Sequence, residues 1–210
     1  MKQENEMPER KYLTQSEVGR ILRAVQERNE NAERDYCLIY MCFIHGFRVS
    51  EVCRLRVSDM DLEEGSILIR RMKNGFSTRH PLLGNENRAI RAWLKVRSRL
   101  PGAESDWLFL SRQGKPISRQ RIYQLIRLSG EQAQLPVASH PHMLRHACGF
   151  ALADRGVDTR LIQDYLGHRN IRHTVRYTAS NAERFEGIWS SEIKRKGRQL
   201  GPNCQTQAIR

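Results

Sequence analysis

One stretch constrains this chain more than any other: the run from His140 to Tyr177, where residue types spell out helix starts and stops. Pro141 can open a helix, because its fixed φ suits the first helical position and its missing N–H is not needed there. Leu144, Cys148, Ala151 and Leu152 recur at helical spacing and define the face to be buried. His142 and Arg145 lie three apart, hence side by side on one face. Arg155-Gly156 reads as the stop. Asp158 caps a second helix whose apolar residues are Leu161, Ile162, Tyr165 and Leu166, closed by Gly167. His168 follows at once, and Tyr177 comes nine residues later among Arg172, His173 and Arg176. Two histidines, an arginine and a tyrosine are thus delivered with little intervening loop.

These residue types fit one chemistry. A tyrosine hydroxyl can attack a phosphodiester if cations neutralise the extra phosphate charge and a donor protonates the leaving oxygen. A lone HxxR is weak evidence, since many helices contain one by chance. HPHMLRH, then LGHRN, then the tyrosine, in order and at these separations, is specific. The set resembles the C-terminal half of the signature of the tyrosine recombinase (phage integrase) family.

Length and charge agree with a DNA partner. At 210 residues the chain can bury a sizeable core in one domain with short tails. Lys and Arg number 36 against 23 Asp and Glu, a net charge of +13, which favours a polyanion over a merely solvated basic surface. No apolar run approaches a membrane span, and the polar start MKQENEMPER does not read as a signal peptide, so a cytoplasmic protein is expected. The five cysteines, Cys37, Cys42, Cys53, Cys148 and Cys204, show no CxxC spacing. Three of them fall on apolar helix faces and are expected as buried free thiols, and no zinc site is visible among them.

From the N-terminus, Thr14-Gln15-Ser16-Glu17 is a capping box, with Leu13 and Val18 as its hydrophobic staple. Val18, Ile21, Leu22 and Val25 form one helical stripe. A strongly apolar helix through Tyr36, Cys37, Leu38, Tyr40, Met41 and Ile44 should be central, and Gly46 stops it. GFRVSEV then resembles the first box of the family, which assigns Arg48 to the scissile phosphate and Glu51 to a supporting place. Asp59 to Gly65 reads as a turn region. Ser66 to Arg70 and Thr78 to Leu82 read as strands of a hairpin, because Asn74-Gly75 suits a type I′ turn. A turn lysine by itself is usually solvated, but the resemblance makes Lys73 the general acid. Arg71 is the nearest rival, and its guanidinium holds its proton too tightly for the task.

Asn85 to Leu100 makes a basic amphipathic helix with Ile90, Trp93 and Leu94 facing in. Trp107 to Leu110 is a short strand or an extended core segment. Ser118 caps a further helix carrying Ile122, Leu125 and Ile126, and Arg112, Lys115, Arg119, Arg121 and Arg127 cluster around it. A single-signed set of this kind tracks a phosphate backbone, as do Arg172 and Arg176. After Tyr177, Asn181 to Ile193 reads as a last helix with Phe185, Ile188 and Trp189 apolar, followed by a basic tail that reads as disordered.

The resemblance runs from about Lys11 to Phe185, and within the family it points to the small bacterial recombinases that invert a fimbrial promoter segment. It implies a mainly α fold with a small antiparallel β-hairpin or sheet. Residues 1–10 are read as a polar extension, 11–185 as the catalytic domain and 186–210 as a basic tail. It also implies strand exchange without metal, ATP or other cofactor, through a 3′-phosphotyrosyl link made by Tyr177. Arg48, Arg145, His142 and His168 would serve the phosphate. Double-stranded DNA with inverted repeats, self-association into a tetrameric synapse and DNA-bending accessory proteins are the implied partners. Larger relatives carry an N-terminal clamp domain, for which there is little room before Lys11. Two other readings stand beside this one. The first is a DNA-binding regulator on the same fold without cleavage. The second is a metallohydrolase on His140, His142 and His146, which lacks the glutamate of an HExxH motif and sets Arg145 against a cation.

Overall fold

Thr14 caps the first helix as its sequence dictates: its hydroxyl accepts from Glu17 N at 3.2 Å, and the Glu17 carboxylate accepts from Thr14 N at 2.8 Å. In the computed structural model, which describes residues 10–27, 31–71 and 77–179, that helix is α1 (Gln15–Gln26). It is followed by α2 (Ala32–His45), the short α3 (Val49–Val52), a 3₁₀ turn (Val57–Asp59), and strands β1 (Met60–Asp61), β2 (Ser66–Ile69) and β3 (Thr78–Pro81). Helices α4 (Gly84–Arg97), α5 (Arg119–Gln132), α6 (Pro141–Asp154), α7 (Thr159–Leu166) and α8 (Arg172–Ala179) complete it. Mainly α with a small antiparallel sheet is therefore the observed class. The sheet has the order β1-β2-β3, with Ile67 opposite His80 and Ile69 opposite Thr78.

Helix α2 is central because it is apolar on nearly all sides: Cys37, Leu38, Ile39, Met41 and Cys42 are buried, and it packs on α1, α4 and α6. Gly46 ends it in the left-handed region at φ 58°, where a side chain would also strike Leu166. Trp93 of α4 closes the core with its indole N–H donating to Leu108 O at 2.9 Å. At about 1.5–3 kcal/mol for each large apolar side chain fully removed from water, this cluster is what holds the fold. A second, smaller cluster forms where α7 and α8 lie against α6, from Cys148, Ala153, Ile162, Leu166 and Tyr177. Cys37, Cys42 and Cys148 are buried free thiols, as their helical positions required, and Cys53 is half-buried.

The structure departs from the sequence reading in several places. Part of the segment read as a turn, Met60–Asp61, pairs with Ser66 and Ile67 as an edge strand. Strand β2 ends at Ile69, one residue early, and α4 begins at Gly84. Of the two readings for Trp107 to Leu110, the extended core segment holds, with single bridges to Arg56 and Pro116. Among the apolar residues named for α7, whose facing the sequence left open, Leu161 is 59% exposed, because α7 rests on Ile162 and Leu166 and the helical rotation carries the neighbouring residue outward. Among the described residues no helix is long and apolar enough to cross a membrane. The last helix, with Phe185, Ile188 and Trp189, the basic tail, Cys204 and most of the N-terminal extension fall outside the described residues.

Candidate active site

Helix C-termini organise the site. The last carbonyls of a helix have no intrahelical donor and sit at the negative end of its dipole, so they attract cations. The end of α7 offers three in succession, and each takes a guanidinium: Arg71 Nη2 donates to Tyr165 O, Arg145 Nη2 to Leu166 O at 2.6 Å, and Arg48 Nη2 to Gly167 O at 3.3 Å. The end of α2 takes two of the same side chains, with Arg71 Nη2 donating to His45 O at 3.3 Å and Arg145 Nη1 to Gly46 O. Residues far apart in sequence thus meet because two helix ends meet.

Glu51 is the carboxylate among them. Its Oε1 accepts from Arg48 Nη1 at 2.8 Å, and its Oε2 accepts from Arg48 N at 2.9 Å and Arg71 Nη1 at 3.0 Å. Burial raises the Glu51 carboxyl, but Arg71 and the Arg48 bonds overcome it, so the group stays below the usual carboxylate range and ionised. Arg145 is 1% exposed, and its pKa falls to about 9 through burial and then the charges of Arg48 and Arg71. One carboxylate therefore faces three guanidiniums. That excess of positive charge is the electrostatic signature of an anion site.

The histidines and the tyrosine line the same region. His168 follows the left-handed Gly167 (φ 64°), and Gln163 Nε2 donates to its carbonyl at 2.8 Å. Its Nδ1 lies 2.8 Å from Thr174 Oγ1, and a hydroxyl donating there leaves the ring proton on Nε2 as a donor. Burial, followed by Arg145 and Arg48, lowers the His168 pKa to about 3, so the ring is neutral. His142 lies on the first turn of α6, where partial burial of its ring and then Arg145 lower its pKa. Its ring stands edge-on to His146, with centroids 4.4 Å apart.

Tyr177 is 1% exposed, and its hydroxyl lies 2.9 Å from His146 Nδ1. The ring meets Phe150 edge to face at 5.1 Å and occupies the space left by Gly149, where a Cβ would come within 2.6 Å of Tyr177 Cε2. Burial raises the tyrosine pKa, while Arg145 and Arg176 oppose that shift. The phenol is therefore neutral in its seat and closed off from solvent.

Arg48, Glu51, His142, Arg145, His168 and Tyr177, chosen from sequence, converge around one site. Lys73 lies outside the described residues. Arg112, Lys115, Arg119, Arg121 and Arg127 are exposed along and just before α5. That helix packs on α3, beside Glu51, so the basic stripe adjoins the site rather than entering it. Arg127 is tied to Glu131 at 2.8 Å. Arg172 and Arg176 are exposed on α8. Sequence reasoning did not assign a place to Arg71 as a brace, to His146 and Gly149 as the tyrosine's seat, or to Thr174 as the partner of His168. Among the described residues no group of three or more His, Cys, Asp and Glu is placed to hold a metal ion.

Comparison with known proteins agrees with this geometry. The sequence model of the phage integrase family matches residues 11–184. The chain is 57% identical over 199 residues to the Type 1 fimbriae regulatory protein FimB of Escherichia coli (strain K12), covering 95% of this chain and 98% of that protein. It is 55% identical over 184 residues to FimE of the same strain, covering 87% and 92%. Among solved structures, XerA recombinase superposes with a TM-score of 0.72 at 29% identity, over 82% of this chain and 61% of that one. XerH recombinase in a post-cleavage complex with palindromic difH superposes with a TM-score of 0.73 at 25% identity, over 83% of this chain and 51% of that one. The chain thus spans between half and two thirds of these crystallised recombinases but nearly the whole of its fimbrial relatives. With matching running from Lys11 to beyond Tyr177, and with the arginines, histidines and tyrosine of the matching boxes gathered at two helix ends, this chain belongs to the phage integrase family.

Proposed function

We propose that this chain is a site-specific DNA recombinase that controls fimbrial phase variation by cutting and rejoining DNA at inverted repeats. One observation carries the reading: three guanidiniums on consecutive carbonyls at the end of α7, facing a single carboxylate and flanked by His168 and Tyr177. Similarity to FimB and FimE over nearly the full chain supports the fimbrial role, and likeness to a DNA-bound XerH supports DNA as the partner.

In this mechanism a scissile phosphate enters beside Arg48 and Arg145, which grip its non-bridging oxygens as charge develops. The incoming charge also favours the proton on His168 Nε2, which donates to the same phosphate. Tyr177 leaves its seat at His146 and attacks the phosphorus, its proton passing to an acceptor, a role the family resemblance gives to His142. The phosphorus–oxygen bond to the 5′ side breaks, giving a 3′-phosphotyrosyl ester and a free 5′-hydroxyl. An unperturbed tyrosine is only roughly one part in a thousand ionised at neutral pH, and burial lowers that fraction further here, so the cations supply the bias. The family resemblance gives Lys73 the protonation of the leaving oxygen, an effect of about 10²–10⁴ in rate for a positioned acid. The ester conserves the bond energy, so rejoining needs no nucleotide. The exposed arginines of α5 and α8 hold the flanking duplex. Exchange between two repeats assembles four protomers, with DNA-bending proteins as aids.

A nicked substrate carrying candidate inverted repeats tests this on a denaturing gel. Wild-type protein forms a covalent adduct. Absence of any adduct with tight DNA binding would instead make the chain a non-cleaving regulator.

A further inference from the structure

Arg71 lies outside the set that the family signature supplies, yet its side chain is fully buried and makes more cross-chain bonds than that of Arg48. One planar fork joins three places. Nη1 donates to Glu51 at 3.0 Å, and Nη2 donates to His45 O at the end of α2 and to Tyr165 O at the end of α7. Each place borders a residue of the anion site. Glu51 fixes both the backbone and the guanidinium of Arg48. His45 is followed by Gly46, whose carbonyl holds Arg145. Tyr165 is followed by Leu166, Gly167 and His168.

The fork is also fitted from the other side. A Cβ on Gly167 would stand 3.0 Å from Arg71 Cδ and Cγ, so the turn before His168 packs directly on the arginine stem. Arg71 Nε is buried without a hydrogen-bond partner. A group held solely for stability would not favour that loss, whereas a fork aimed at three fixed acceptors has no freedom left to satisfy it.

We infer that Arg71 is a positioning residue for cleavage, bracing Glu51 and the ends of α2 and α7 so that Arg48, Arg145 and His168 converge on one phosphate. It does not touch the DNA and moves no proton. It acts through Glu51 on Arg48, and through Tyr165 O on the turn that carries His168. A lysine cannot replace it, since a single ammonium cannot meet three acceptors in the plane of a fork. The inference rests on the proposed role of Arg48 and His168 at the phosphate.

The test is single-turnover adduct formation on the nicked substrate at saturating protein, with Arg71→Lys, Arg71→Met, Arg48→Ala and the Arg48→Ala double variants. Half-site binding and thermal melting are followed on the same preparations. Arg71→Lys and Arg71→Met should bind the half-site as wild type does and lose about 10²-fold in the adduct step, the order found for one lost oxyanion donor. In the Arg48→Ala background the further loss from Arg71→Met should be smaller than in the wild-type background, because the share carried through Glu51 is already gone while that through Tyr165 O remains. If Arg48→Ala itself cleaves normally, the proposed function of the site fails and this inference falls with it. If Arg48→Ala is impaired while Arg71→Lys cleaves at the wild-type rate, only the inference falls. Full multiplication of the two losses would also overturn it, as would failure of both Arg71 variants to fold, which would leave Arg71 a purely structural residue.

Discussion

Two buried polar clusters lie on either side of the α2 C-terminus, and they differ in charge balance. On one side His45 Nε2 meets Glu86 Oε1 at 2.6 Å, His45 Nδ1 meets His80 Nδ1 at 3.2 Å, and His80 Nε2 meets Thr78 Oγ1 at 3.0 Å. Its carboxylate is bonded to a ring nitrogen, and the chain of bonds ends on a hydroxyl. On the other side Arg48, Arg71 and Arg145 share Glu51 and rely on helix-end carbonyls for the rest. A balanced cluster can be complete within the fold. The unbalanced one carries positive charge in excess, which favours an anion from outside. The first reads as scaffold and the second as site.

The largest expected effect tests whether the unbalanced cluster serves a nucleophile. Tyr177→Phe removes one oxygen and should bind target DNA as wild type does while forming no adduct on a denaturing gel. Persistence of the adduct would move the nucleophile elsewhere, with Tyr165 next to examine. Arg145→Ala and Arg48→Ala should each lower cleavage by at least about 10²-fold in single-turnover assays.

The balanced cluster should respond in the opposite way. Glu86→Ala leaves the ring nitrogen of His45, which is 0% exposed, without its hydrogen-bond partner and should cost about 1–3 kcal/mol in denaturant titrations. Whatever remains folded should cleave at the wild-type rate. A cleavage defect without instability would erase the distinction between scaffold and site.

Gly149→Ala tests the tyrosine's seat. The new methyl would stand 2.6–2.7 Å from three ring atoms, so the ring must shift, as in an overpacked core, at a cost of about 1–3 kcal/mol. Melting temperature and adduct rate should both fall, and an unchanged rate would show that the seat does not guide the attack.

The smallest effect comes from one histidine of the balanced cluster and one of the tyrosine's seat. Burial first, then neighbouring positive groups, hold His80 and His146 at about 3, below the ordinary 6.5. The folded state then binds fewer protons than the unfolded state, so stability is full above pH 6.5 and is lost as pH falls from there toward 3. Each should contribute a loss of about 1 kcal/mol between pH 7 and pH 5.5. His80→Phe should remove its share of that slope in urea titrations at the two pH values.

Much of this was legible from residue letters. Thr14 with Glu17, Gly46, Ser118, Pro141, Asp158 and Gly167 act on backbone within a turn or two, so local chemistry placed those helix ends. The boxes around Arg48, His142–Arg145 and His168–Tyr177 were legible for the same reason, since each is short and contiguous. The facing of Leu161 was not legible, because periodicity over an eight-residue helix leaves two faces open, and only packing on α6 and α8 selects one. The strand at Met60–Asp61 was missed because two residues carry no period at all.

The sequence by itself determined the elements, the reactive side chains and the surplus of positive charge. The tertiary structure decided that Arg71, Arg145 and Arg48 grip successive carbonyls at the end of α7, across separations of 94, 21 and 119 residues. It likewise decided that Tyr177 rests on Gly149 and His146. The physical reason is that a carbonyl acceptor belongs to every residue and a gap belongs to none in particular. No letter marks them until the helices have packed.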